Sequence, residues 1–151
     1  MSERGTGWVV AQFVLMAVIL AAGIAPPAWA DGTWWPRLAG GVTLIVTGLA
    51  FAIWARRALG RAFTPFPKPI ATGLVTSGPF AIVRHPVYTG LLAAFCGYAL
   101  LTSVAAIVVA GVLLVLWLGK IRLEERLLRE AYPEYAAYRT QVRWRLLPFI
   151  Y

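Results

Sequence analysis

Four stretches of this chain, Trp8 to Ala25, Leu38 to Ala55, Val87 to Leu101 and Val104 to Gly119, contain no charged residue at all. Each holds roughly 15 to 18 residues, close to the least that carries a helix across a bilayer. Hydrocarbon supplies no water to satisfy backbone N–H and C=O groups, so such a stretch must be helical. Only Thr102 and Ser103 separate the last two, which predicts a tight helical hairpin. The expected fold is all-α, an integral membrane bundle of about four transmembrane helices forming one domain over 1–151. A loop over residues 56–86 and a tail over 120–151 would carry the polar groups.

Composition supports that reading. Of 151 residues, 60% are hydrophobic and 13% charged. Soluble domains carry about 25% charged residues, so most of this surface faces something other than water. The net charge of +8 does not imply nucleic acid, because the basic residues flank apolar stretches rather than forming a stripe on a soluble fold. One cysteine, Cys96, excludes an internal disulfide, and with a single histidine no ordinary zinc site is expected, so no metal is assigned. Ala28-Trp29-Ala30 resembles a signal-peptide cleavage site. The apolar run before it is longer than a usual signal core, so the first stretch is read as a retained span.

Charge sets the orientation. Arg56, Arg57, Arg61, Lys68 and Arg84 fall between the second and third stretches with no acid among them. Lys120, Arg122, Arg126, Arg129, Arg139, Arg143 and Arg145 follow the fourth. Four spans put both segments on one side, and the positive-inside rule makes that side cytoplasmic, with both termini there.

The segment between Arg56 and Arg84 carries Pro65, Pro67, Pro69, Gly73, Gly78 and Pro79, so no continuous helix fits it. Its apolar residues, Phe63, Phe66, Leu74, Val75, Phe80 and Ile82, argue for a packed loop at the membrane face. It ends in Arg84-His85-Pro86-Val87-Tyr88-Thr89-Gly90, where Pro86 suits the first position of a helix. Free N–H groups there, beside Arg84, would make an anion site over which Tyr88 could lie. Anchoring of Arg84 and His85 at the headgroups is the competing reading.

Past Gly119 the run Lys120 to Glu130 continues the fourth helix as an amphipathic extension. Glu125 has Arg129 four residues ahead, in the favourable order for an ion pair. Glu124 has Leu128 ahead and Lys120 behind, so it is the acid expected to seek a cation elsewhere. Tyr132, Tyr135, Tyr138 and Val142 form a stripe expected at the membrane interface. An anion site facing a carboxylate would suit a zwitterionic ligand.

Ser77 to Gly90, together with Glu124-Glu125 and Tyr135-Ala136-Ala137-Tyr138, resembles the isoprenylcysteine carboxyl methyltransferase family and the related phospholipid methyltransferases. The resemblance implies S-adenosyl-L-methionine as methyl donor, bound at the cytoplasmic mouth by Thr72, Gly73, Leu74, Val75, Phe80, His85, Pro86, Val87, Tyr88 and Glu124. It links Lys120 to the substrate, although arginine is expected there and lysine lacks a bidentate fork. It implies methyl transfer to a lipophilic acceptor, a prenylcysteine-like carboxylate or another small lipid. Methylation of a phospholipid headgroup nitrogen is the alternative. A non-catalytic scaffold with a lipid-binding basic face is the alternative of another class. No catalytic residue is assigned. The acceptor is expected to enter laterally between the third and fourth helices and the second, past Trp54, Tyr88, Leu92 and Trp117.

Overall fold

A small-residue seam joins the second and third helices. Gly41, Gly48 and Ala55 recur every seventh residue on one, and Gly90 and Gly97 on the other. In the computed structural model, which describes residues 5–24, 34–70 and 73–150, these glycines face one another. A Cβ added at Gly48 would lie 2.5 Å from the carbonyl oxygen of Gly90 and 2.7 Å from the amide nitrogen of Ala94. Backbone therefore rests on backbone, the closest approach two helices can make.

The elements in chain order are α1 (Thr6–Ala22), α2 (Trp34–Leu59), α3 (Pro86–Thr102), α4 (Val104–Ala131) and α5 (Tyr135–Gln141). Single 3-10 turns stand at Gly60–Ala62 and Gly78–Ala81, and no strand occurs among the described residues. α3 packs between α2 and α4, and α4 packs in turn against α1. Ile19, Leu92, Leu113 and Trp117 fill the seam among α1, α3 and α4, with Ala99, Ala106 and Ala110 letting the helices close.

The outer faces are as apolar as the core. Phe13, Val14, Val46, Ile53, Val108 and Val115 are all exposed. Water would penalise so much apolar surface, whereas lipid does not. α2 and α4 are long and apolar enough to cross a membrane. At 17 residues each, α1 and α3 reach about 25 Å, near the lower limit for a span.

The expected helices are all present, with shifted ends. α2 begins at Trp34 and runs on to Leu59, so the irregular segment opens later than position 56. Arg56 and Arg57 extend the helix, and the Arg56 guanidinium donates to the Gly60 carbonyl at 3.2 Å and lies 4.3 Å above the Phe63 ring centre. The cleavage-like tripeptide Ala28-Trp29-Ala30 and Thr72 lie outside the described residues. The α3–α4 turn is pinned to the far end of α1. Ser103 accepts the Ala106 N–H at 3.1 Å, capping α4, and donates to the Ala22 carbonyl at 3.0 Å. Tyr98 donates to the Leu20 carbonyl at 2.8 Å. At the opposite end Gly5 meets Pro67 and Trp8 lies over Gly119. The start of α1, the 60–85 segment, the start of α3 and the polar half of α4 thus share one end of the bundle.

Candidate functional site

The site grows from the first turn of α3. Pro86 opens the helix without an N–H to satisfy, and His85 precedes it. Residues 142–146 then lie along this turn as a strap. The N–H groups of Arg84 and His85 each donate, at 2.9 Å, to the carbonyls of Trp144 and Arg145. Thr89 Oγ1 donates to the Leu146 carbonyl at 2.6 Å. Arg84 is buried, and its guanidinium is spent on the same strap. Nη1 donates to the carbonyls of Val142 at 2.8 Å and Arg143 at 2.7 Å, and Nε to Glu125 Oε1 at 2.8 Å. Glu125 and the strap carbonyls thus hold Nε and Nη1 of the guanidinium expected beside the anion site at the start of α3.

The acidic pair also partners differently from the local expectation. Glu125 is buried and takes Arg84 on one oxygen and Arg145, at 3.1 Å, on the other. Arg129 reaches only its main-chain carbonyl, at 3.2 Å. Long-range cations displaced the pair four residues along because Glu125 faces the protein rather than solvent. Glu124 faces the adjoining cavity. Tyr88 donates its phenol to Oε1 at 2.6 Å, while Lys120 Nζ stands 3.8 Å from that oxygen and His85 Nδ1 3.6 Å from Oε2. His85 Nε2 lies 3.6 Å from Glu125 Oε1, beyond hydrogen-bonding range, and is buried without a partner.

Lys120 is wholly enclosed. Its ammonium donates at 2.7 Å to Gln12 Oε1 on α1 and at 2.7 Å to the Pro65 carbonyl, and lies 5.5 Å above the Tyr88 ring centre. Helical spacing does this: Trp117, Lys120, Glu124 and Leu128 recur at three and four residues and so share one face of α4. That face walls a cavity of about 300 Å³. α1 contributes Gln12, Phe13 and Met16, the loop Phe63 to Pro67, and α3 Pro86, Val87, Tyr88 and Leu91.

A smaller cavity of about 90 Å³ adjoins it, lined by Gly73, Leu74, Val75, Tyr132, Tyr135 and Tyr138 among others. Phe80, Pro69, Leu128 and Arg84 line both, so one layer of side chains divides them. Tyr138 donates to the Phe80 carbonyl at 2.7 Å, fixing the divider. The tyrosine stripe packs on the protein, with Leu74 and Leu128. Burial raises the pKa of both the Tyr135 and Tyr138 phenols.

The sequence-derived residues converge here. Gly73, Leu74, Val75 and Phe80 line the smaller cavity; Phe80, His85, Pro86, Val87, Tyr88, Lys120 and Glu124 line the larger. Two expected lateral residues do not. Leu92 belongs to the core, and Trp54 stands half-exposed against Phe51. The apolar wall comes from Phe13 and Met16 of α1, with α2 contributing Leu59 at its end. Sequence reading missed Gln12, the Pro65 carbonyl and the strap over 142–146. Gln12 alone had a visible signal, being the one polar side chain in the first apolar stretch. Among the described residues no three His, Cys, Asp or Glu side chains are grouped to hold a metal ion.

Residues 36–135 match the phospholipid methyltransferase family, and the chain belongs to that family. Its helical fold, with α2 and α4 long and apolar enough to cross a membrane, agrees with a membrane methyltransferase family. It is also similar, at 34% identity over 136 residues, to the cobalt-zinc-cadmium resistance protein CzcN of Cupriavidus metallidurans. That alignment covers 89% of this chain and 58% of the relative, so the chain spans a little over half the relative's length.

Proposed function

We propose that this protein transfers a methyl group from S-adenosyl-L-methionine to a lipophilic acceptor at the membrane surface. The observation that carries the reading is Glu124: a carboxylate gripped by Tyr88 at 2.6 Å and turned into a cavity that adjoins a second, aromatic one. When bound, the donor supplies an electrophilic methyl on sulfonium, so the protein needs chiefly to position two reactants.

The residues present fit the donor's cationic and hydroxyl parts. Glu124 would take its ammonium or ribose hydroxyls, and the Tyr88 and Phe80 rings would face the sulfonium as cation–π partners. Gly73, Leu74 and Val75 with the tyrosines would form the adenine side. The donor's carboxylate would meet the first-turn N–H groups of Val87 and Tyr88, which have no partner within the helix, beside Arg84, whose Nε and Nη1 are held by Glu125 and the strap.

The acceptor side is apolar, with Phe13, Met16 and Leu91 in its wall. Both full cations lining the larger cavity, Arg84 and Lys120, are held by protein groups. Glu124, the carboxylate lining that cavity, favours an amine-bearing acceptor, such as a phospholipid headgroup, over a carboxylate, which it would repel. The test is direct. Purified protein in detergent should bind S-adenosyl-L-methionine by calorimetry, and in vesicles should methylate an aminophospholipid in preference to a long-chain carboxylic acid. Absence of donor binding sinks the reading; preference for the acid reverses its acceptor half.

A further inference from the structure

Gln12 is only 6% exposed and lines the larger cavity beside Phe13 and Met16. Its Oε1 accepts from Lys120 Nζ at 2.7 Å. An ammonium can only donate, so the amide oxygen must face it and the nitrogen must face away. Among the described residues nothing accepts from Gln12 Nε2. The carboxamide is thus locked with its N–H donors on the cavity side. On the α4 wall of the same cavity, Trp117 is fully buried and its Nε1–H also lacks a partner.

Buried polar groups are hydrogen-bonded as a rule, and a polar side chain facing the interior of an apolar bundle marks a functional position. Gln12 Nε2 and Trp117 Nε1 are donors, whose complement is an acceptor oxygen, while the third unpartnered atom among the lining residues, His85 Nε2, stands 3.6 Å from Glu125 Oε1. The positive charge of Lys120 is already met by Gln12, the Pro65 carbonyl and Glu124 at 3.8 Å, so the complement is uncharged.

We propose that the Gln12 carboxamide is a recognition site for a neutral carbonyl oxygen, ester or ketone, on a lipophilic molecule held in the larger cavity. Resting further on the methyl-transfer reading, that molecule is the acceptor. Lys120 and Glu124 stand one helical turn apart, so the carbonyl lies about 5 Å from the group that meets Glu124.

Two photoreactive alkyl diazirines of equal length test this, one with a mid-chain ketone and one with a methylene in its place. The full chain in nanodiscs is irradiated with each, and labelled α1 and α3 peptides are quantified by mass spectrometry. The ketone probe should label about fivefold more strongly, the worth of one uncharged hydrogen bond. Gln12→Glu keeps an oxygen for Lys120 but turns a second oxygen to the cavity, so it preserves the buried pairing and should abolish the preference. Gln12→Leu should abolish it as well. Equal labelling of the wild type, or a preference that survives in Gln12→Glu, overturns the proposal. Equilibrium dialysis of S-adenosyl-L-methionine on the same samples separates the two readings: a wild type that binds no donor sinks methyl transfer, while probe preference alone decides carbonyl recognition.

Discussion

Glu124 and Glu125 are neighbours with different work. Glu125 holds Arg84 and Arg145 in a buried cluster, so removing its charge leaves Arg84 without its partner. Breaking a buried pair from one side costs about 3–5 kcal/mol. Glu125→Gln should therefore lower the thermal midpoint markedly and free the 142–146 strap to proteolysis. Glu124→Gln should leave the midpoint much closer to wild type and instead weaken donor binding by about 10- to 100-fold, one charge-assisted hydrogen bond. Thermal unfolding and calorimetry on both variants check this; a reversed ranking would mean the roles are exchanged. The two tyrosines of α5 add a pH dependence. Their phenols are pushed up by burial, so the folded state favours the neutral form. The stability they contribute is complete below the unfolded phenol value near pH ~10 and is lost as pH rises beyond it. Unfolding midpoints from pH 9 to 11.5 should fall in the wild type and fall less steeply in a Tyr135→Phe, Tyr138→Phe double variant.

At the scale of elements, the α2–α3 seam is the contact least able to adjust. Its atoms are backbone, so a side chain cannot rotate aside. Gly48→Leu should destabilise by more than the ~1–3 kcal/mol typical of overpacking, and Gly48→Ala should already be felt, because even a Cβ meets the Gly90 carbonyl at 2.5 Å. Denaturation in mild detergent reads the order, with Gly111→Ala as control, since a Cβ there meets nothing. This seam also shows what sequence could convey. Helices were legible because uninterrupted apolarity leaves one backbone solution in lipid. The grouping of His85, Tyr88, Lys120 and Glu124 was legible because a motif and a helical period carry it. The partners of Arg84 and Lys120 were not. Glu125 lies 41 residues from Arg84 and Gln12 108 from Lys120, and no local period links them. Pairing rules for neighbours on a helix assigned Glu125 to Arg129, and burial overrode them.

At the scale of the molecule, one end of the bundle is polar and the rest is greasy. The start of α1, the loop after α2, the first turn of α3 and the extension of α4 meet there, and the strap closes over them. Arg56, Arg57, Arg61, Lys68, Arg122, Arg126, Arg129 and Arg143 all belong to segments at that end. The opposite end is the α3–α4 turn, where Thr102 and Ser103 carry no charge. Translocating the basic end would move many Lys and Arg side chains across the bilayer, at about 2.5 kcal/mol or more for each one at its centre. Retention on the cytoplasmic face is the cheaper arrangement, and it would set the cavity on the side from which the proposed water-soluble methyl donor arrives. Should α1 and α3 cross as well as α2 and α4, both termini would share the cytoplasmic side. Reporter fusions at the C-terminus and at Gly32 should therefore show opposite sides, using alkaline phosphatase and a fluorescent protein as complementary readouts. Should both report the same side, one of α2, α3 and α4 does not cross, α3 at 17 residues being the shortest of the three, and the four-span arrangement fails.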